Sequence, residues 1–184
     1  MCETPADFSP AASLTPLELI SPDAETTRRL GEALGRHLRA GDVVLLDGNL
    51  GAGKTTFVQG VSRALDVKGR VTSPTFIVAR THRARAAGPS LVHVDAYRLE
   101  DALDLETIDL EDSLPESITF IEWGRGKVEE LAAERLEIEL LRPAELVAED
   151  PEREVRRLQF IPYGANWRRR LAEFTSELEA LCVP

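Results

Sequence analysis

The sequence predicts an α/β protein: a mixed, mainly parallel sheet with helices on both faces and antiparallel strands towards the C-terminus. Three observations predict it. An apolar run, Val43 to Leu46, breaks into glycines and then into a helical pattern. Two further apolar runs, Leu91 to Asp95 and Ile118 to Glu122, each end in a carboxylate. The segments 135–141 and 153–161 alternate apolar and polar residues, as half-exposed antiparallel strands do. Continuous apolar runs suit strands buried on both faces of a parallel sheet. A strand, glycine loop and helix in succession bring ligands to the carboxyl edge of such a sheet.

Each element has a local reason. Residues 1–22 lack a basic stretch followed by an apolar one, so they read as a flexible leader rather than a secretory signal. Residues 23–184 then form a single domain, a length that supports one core. From Asp23 to Arg39, Leu30, Ala33, Leu34 and Leu38 fall at helical spacing, with Asp23 at the N-cap and Gly41 just past the end. A helix over Lys54 to Leu65 follows the glycines, with Phe57, Val61 and Leu65 on one stripe. Strands are expected over Thr75 to Arg80 and Leu91 to Asp95, joined either as a hairpin or by a crossover. An acidic, helix-prone segment, 101–114, ends before Pro115, and a short helix is expected within 125–136. The chain closes on a helix with Trp167, Leu171, Phe174 and Leu178 on one face.

Composition excludes some functions. With 22 basic and 32 acidic residues the net charge is -10, which opposes strong non-specific attachment to a polyanion. No apolar run approaches the ~20 residues that cross a bilayer, so a cytoplasmic protein is expected. Cys2 and Cys182 stand near opposite ends without a second ligand at metal-binding spacing, and read as unpaired thiols.

Gly48, Asn49, Leu50, Gly51, Ala52, Gly53, Lys54 and Thr55 fit G-x-x-x-x-G-K-[ST] in full, with a strand before and a helix after. This is a P-loop. Its glycines turn successive N–H groups inward around a phosphate, and the helix N-terminus adds its positive dipole end. Lys54 supplies a point charge for the β- and γ-phosphates, and the Thr55 hydroxyl is placed for Mg²⁺. Magnesium takes one or two carboxylates besides. Asp95 and Glu122, each ending an apolar strand, supply them: one orients the metal shell and the other the attacking water, in an order the residues leave open.

Other residues have two readings each. Pro74 makes VTSPTF an extended entry into a strand, and Ser73 and Thr75 either reach the γ-phosphate as a switch does or only shape the turn. Arg80, His82, Arg83 and Arg85 form a basic loop, either solvated or in contact with RNA or phosphate. Trp167 with Arg168, Arg169 and Arg170 is either a docking face or a core indole beside a solvated helix face. His37 and His93 read as structural, and Trp123 either lies against the nucleotide or is a packed core indole.

GNLGAGKTTF, VTSPTF, HVDAYRL and IEW, in that order in a short chain, closely resemble the TsaE family, the small bacterial ATPases of tRNA threonylcarbamoyladenosine synthesis. The match runs from about Asp23 to Arg153. It implies that Leu50 to Thr55 wrap the phosphates of ATP, with Gly48 and Thr56 flanking them. It also implies that Thr55 and Glu122 hold Mg²⁺, that Asp95 is needed for hydrolysis, and that Thr75 is a switch threonine. The start of the first helix, Asp23 to Thr27, would lie by the nucleotide, and Arg153 would approach it from the far side. The resemblance implies TsaB and TsaD as partners, with tRNA reached through that complex. TsaD transfers the threonylcarbamoyl group, and ATP hydrolysis by the family serves repeated turnover. Asn49, Ala96 and Gly124 depart from the usual Asp, Leu and Pro.

The function expected is therefore a Mg²⁺-dependent ATPase serving a tRNA-modifying complex. The alternative is a small-molecule kinase, for which only the Arg80 to Arg85 loop offers a lid. No N-K-x-D reads guanine, and a non-hydrolysing sensor does not need both Asp95 and Glu122.

Overall fold

The apolar run before the glycine loop becomes strand β2, Val43–Asp47, at the centre of a seven-stranded sheet. The computed structural model describes residues 16–74, 78–98, 110–127, 132–143 and 154–182. The elements in chain order are β1 (Leu17–Ser21), α1 (Ala24–His37), β2, α2 (Lys54–Ala64), β3 (Ala79–His82) and β4 (Ser90–Asp95). There follow α3 (Leu110–Ser113), β5 (Ser117–Glu122), β6 (Arg135–Leu141), β7 (Arg156–Tyr163) and α4 (Ala165–Ala180). The strand order is β1-β7-β6-β2-β5-β4-β3. β6, β2, β5 and β4 run parallel, while β3 and β7 run antiparallel to their inner neighbours and β1 antiparallel to β7.

Parallel strands in the middle of a sheet need cover on both faces. Val44 and Leu46 enter the larger core with Leu30, Leu34, Phe57, Val61, Trp167, Phe174 and Leu178, so α1, α2 and α4 share one face. Val43 and Leu45, alternating with them, point to a smaller cluster with Val92, Val94 and Ile121. Among the described residues, the helices longer than one turn all join the larger core.

Asp23 caps α1 as expected, its Oδ1 accepting from Thr26 N at 2.7 Å. α1 and α2 approach closely enough that a Cβ on Gly60 would strike the backbone carbonyl of Arg28, and one on Gly31 that of Phe57. A buried, two-pronged ion pair fixes α4: Arg170 donates to Asp42 at 2.6 and 2.7 Å and to the His37 carbonyl at 2.8 Å.

Several expectations shift. Residues 17–21 of the expected leader are instead a strand, because β7 offers them a partner register from Leu17↔Phe160 to Ser21↔Arg156. The strand expected over Thr75 to Arg80 lies later, at Ala79–His82; residues 75–77 are outside the described ones. The join to β4 is antiparallel. β6 is not half-exposed: it lies between β2 and β7 and is buried along most of its length. Its polar alternation survives because Arg135 bonds Glu137 at 2.7 and 2.9 Å. Of the acidic segment only the turn α3 and a 3-10 turn holding Pro115 are described. Of the helix expected within 125–136, residues 132–134 are not helical, Arg135 and Leu136 open β6, and 128–131 lie outside the described residues.

Candidate functional site

Three parallel strands deliver the site at their carboxyl ends. β2 ends in Asp47 and runs into the glycine loop, and β4 and β5 end in register with Asp95 beside Glu122. The loop needs backbone angles that side chains resist. Gly53, the N-cap of α2, has φ +108°, in the left-handed region that favours glycine. That conformation opens α2 with Lys54 and Thr55 in its first turn, where the unpaired N–H groups suit an anion.

A cavity of about 550 Å³ lies over this turn, lined by Leu50 to Thr56 on one side and by Ser73, Asp95, Tyr97, Glu122 and Trp123 on the other. Gly48 does not line it. A Cβ there would strike the Leu140 carbonyl, so Gly48 lets the loop lie down on β6. Leu50 is 92% exposed at the loop tip.

Lys54 is buried at 5% exposure, and its ammonium donates to the carbonyls of Gly48 at 2.7 Å and Asn49 at 3.3 Å. It lies 3.9 Å from Glu122 Oε2 and 4.2 Å from the centroid of the Trp123 ring. Burial pulls its pKa below the ordinary lysine value, although Glu122, Asp47 and Asp95 act in the opposite direction. Glu122 Oε1 is shared: it accepts from Thr55 Oγ1 at 3.4 Å and meets His93 Nε2 at 2.9 Å. Asp95 Oδ1 accepts from Tyr97 N at 2.9 Å.

Thr55 and Glu122 thus present a hydroxyl and a carboxylate to one point. These hard oxygens fit magnesium, which takes the rest of its shell from phosphate and water. Among the described residues no group of three His, Cys, Asp or Glu side chains is arranged to hold a metal alone.

The structure brings Lys54, Asp95, Glu122 and Leu50 to Thr56 together around one cavity. Thr75 and Arg153 lie outside the described residues. The first turn of α1 does border the loop: Thr27 Cγ2 lies 3.9 Å from where a Cβ on Gly53 would sit.

Sequence reasoning missed two contacts. Arg156, three residues beyond Arg153, crosses from β7 to the loop and donates through Nε to the Ala52 carbonyl at 2.8 Å; Nη2 is 3.5 Å from that of Gly51. Burial lowers its pKa, with Arg142 adding to the effect. His93, read as structural, touches Glu122; standing two residues before Asp95, it shares that face of β4, a signal open to period-two reasoning. Trp123 borders the cavity and has φ +61°, rare for a bulky side chain.

The family model for threonylcarbamoyl adenosine biosynthesis protein TsaE matches residues 21–154. The chain belongs to the TsaE family. It is 49% identical over 141 residues to the tRNA threonylcarbamoyladenosine biosynthesis protein TsaE of Streptomyces coelicolor, spanning 76% of this chain and 93% of that one. Identity to the TsaE of Bacillus subtilis is 34% over 132 residues, 71% of this chain and 78% of that one. The crystal structure of YdiB from Bacillus subtilis superposes with a TM-score of 0.69 at 25% identity, covering 91% of this chain and 99% of that one. TsaE membership and the YdiB likeness agree with the fold class read from the strand, loop and helix.

Proposed function

We propose that this chain is a Mg²⁺-dependent ATPase that supports threonylcarbamoyl transfer to the adenosine 3′ of a tRNA anticodon, carried out by TsaB- and TsaD-like partners. The observation that carries the proposal is the convergence of Lys54, Thr55, Asp95 and Glu122 on the cavity over the first turn of α2. The chemistry asks for little covalent participation from protein groups: positioning and charge stabilisation do most of it.

The loop N–H groups and the α2 N-terminus hold the phosphates. Lys54 turns from the neutral carbonyls of Gly48 and Asn49 to phosphate oxygens, which are stronger, charged acceptors. Thr55 and Glu122 would hold magnesium, which would supply neutralisation of the phosphate charge. Asp95 is then the carboxylate left to orient the attacking water. His93 fixes the Glu122 carboxylate against rotation.

The test is reconstitution. Threonylcarbamoyladenosine formed on tRNA is counted over several turnovers with partner proteins, ATP and Mg²⁺, with and without this chain. Repeated turnover only in its presence is expected; an equal yield without it would sink the proposal. Phosphate appearing on a metabolite at the rate of ATP loss would favour a kinase instead.

A further inference from the structure

We infer that the paired segments 66–70 and 80–85 form a contact surface for the phosphodiester backbone of RNA, a surface that joins the wall of the nucleotide cavity. Two stretches of chain, paired in space, build it. Val67 bridges Ala84 in antiparallel fashion, Lys68 N donates to the Arg83 carbonyl at 2.8 Å, and Arg85 N donates to the Asp66 carbonyl at 2.9 Å. That pairing gathers Lys68, Arg70, Arg80, Arg83 and Arg85, five cations, on a chain whose net charge is -10. Lys68, Arg70, Arg83 and Arg85 are exposed. Asp66 pairs with Arg85 at 3.3 Å, and among the described residues Lys68, Arg70 and Arg83 have no carboxylate partner.

The make-up of the patch favours a nucleic-acid backbone over an acidic protein. Among the described residues, those exposed beside these cations include Gly69, Thr72, Ala86, Ala87 and Gly88, with no aromatic or large apolar side chain to form the dry centre of a protein interface. Among the described residues, the exposed large apolar side chains are Ile20, Leu50 and Tyr97, none of them in the two paired segments. Four of the five cations are arginines, whose planar fork suits phosphate as it does carboxylate, so the choice rests on the apolar poverty of the patch. With no aromatic among the described residues of the patch to stack on bases, the contact is to the backbone and independent of sequence.

The surface is also wired to the cavity. Arg80 donates to Thr72 Oγ1 at 3.0 Å, and the next residue, Ser73, lines the cavity. RNA on this patch therefore presses on the segment that faces the nucleotide. The choice of tRNA as the RNA rests on the proposed function; the contact itself does not.

The test uses the full chain and a tRNA transcript labelled for fluorescence anisotropy, at about 50 and about 150 mM salt. Weak binding is expected that falls ~10–30-fold over that range, as three or four phosphate contacts require. Lys68→Glu/Arg83→Glu should weaken it at least tenfold at the lower salt and flatten the salt slope. The equal charge change Arg168→Glu/Arg169→Glu, on α4, should leave it near the unaltered protein. Basal ATP turnover and the circular dichroism spectrum of each variant report on the ATPase reading and on folding separately. The inference is overturned if both double variants lose binding equally, if the patch variant binds normally, or if the unaltered chain fails to bind at the lower salt. It is also overturned if the patch variant loses only a partner protein, which would assign the surface to an acidic protein.

Discussion

The ammonium of Lys54 is held over the ring of Trp123, 4.2 Å from its centroid, while it donates to the Gly48 carbonyl. The one cation aimed at the cavity from the loop is thus dry and partly satisfied by neutral groups. Lys54→Met is expected to lower ATP turnover by ~10²–10³, the usual loss on removing a charge-stabilising group. Its stability effect has a definite pH sign. Because burial lowers the folded pKa, the unfolded chain binds more protons between that value and about 10.4, so stability rises with pH across that window. The stability of the unaltered chain relative to Lys54→Met should therefore improve in denaturant titrations taken from neutral to alkaline pH. A constant difference would mean that Lys54 is not desolvated.

Gly60 meets the Arg28 carbonyl across the α1–α2 contact. Alanine is favoured over glycine in helices by about 1 kcal/mol, so Gly60→Ala tests which effect wins. Overpacking against a backbone atom costs about 1–3 kcal/mol or more, and a lower thermal midpoint is expected. A raised midpoint would show that the helices separate freely.

Arg156 reaches the Ala52 carbonyl from β7. A hydrogen bond from a charged group contributes about 1.5–3 kcal/mol, so Arg156→Ala should weaken ATP binding roughly tenfold or more by calorimetry. Arg156→Lys, which lacks the fork, should recover part of it. Unaltered affinity in the alanine variant would remove Arg156 from any part in shaping the loop.

Asp42 and Arg170 are both nearly buried, at 9% and 4% side-chain exposure. Removing one partner strands a charge, so Asp42→Ala or Arg170→Ala should each cost about 3–5 kcal/mol in urea unfolding. Asp42→Leu/Arg170→Met leaves no stranded charge and should lie closer to the unaltered protein than either single change. A double variant that loses as much as the two single changes together would show that Asp42 and Arg170 are not coupled.

The parts of the fold that depend on local pattern were legible. Asp23 as a cap, the apolar runs of β2, β4 and β5, the acids at the ends of β4 and β5, and the glycine loop all follow from neighbours within a few residues. What escaped depends on distance. Arg156 and Ala52 stand 104 residues apart, and no spacing rule connects them. β1 is short and carries polar residues, so only the partner strand β7 reveals it. Gly60 looks like a weak point in a helix until α1 is laid across it. Glu137 looks like a solvent-facing residue until Arg135 and its neighbour strands enclose it.

The strand β1 has a practical consequence. A protein expressed from Asp23 onward, where the sequence pattern of the domain begins, would lack Leu17–Ser21 and leave the outer backbone groups of β7 unpaired. An open strand edge is a template for pairing with another chain. Self-association of such a shortened protein would then be an artefact of where it was cut, and β7, the strand that bears Arg156, would be the one recruited into it.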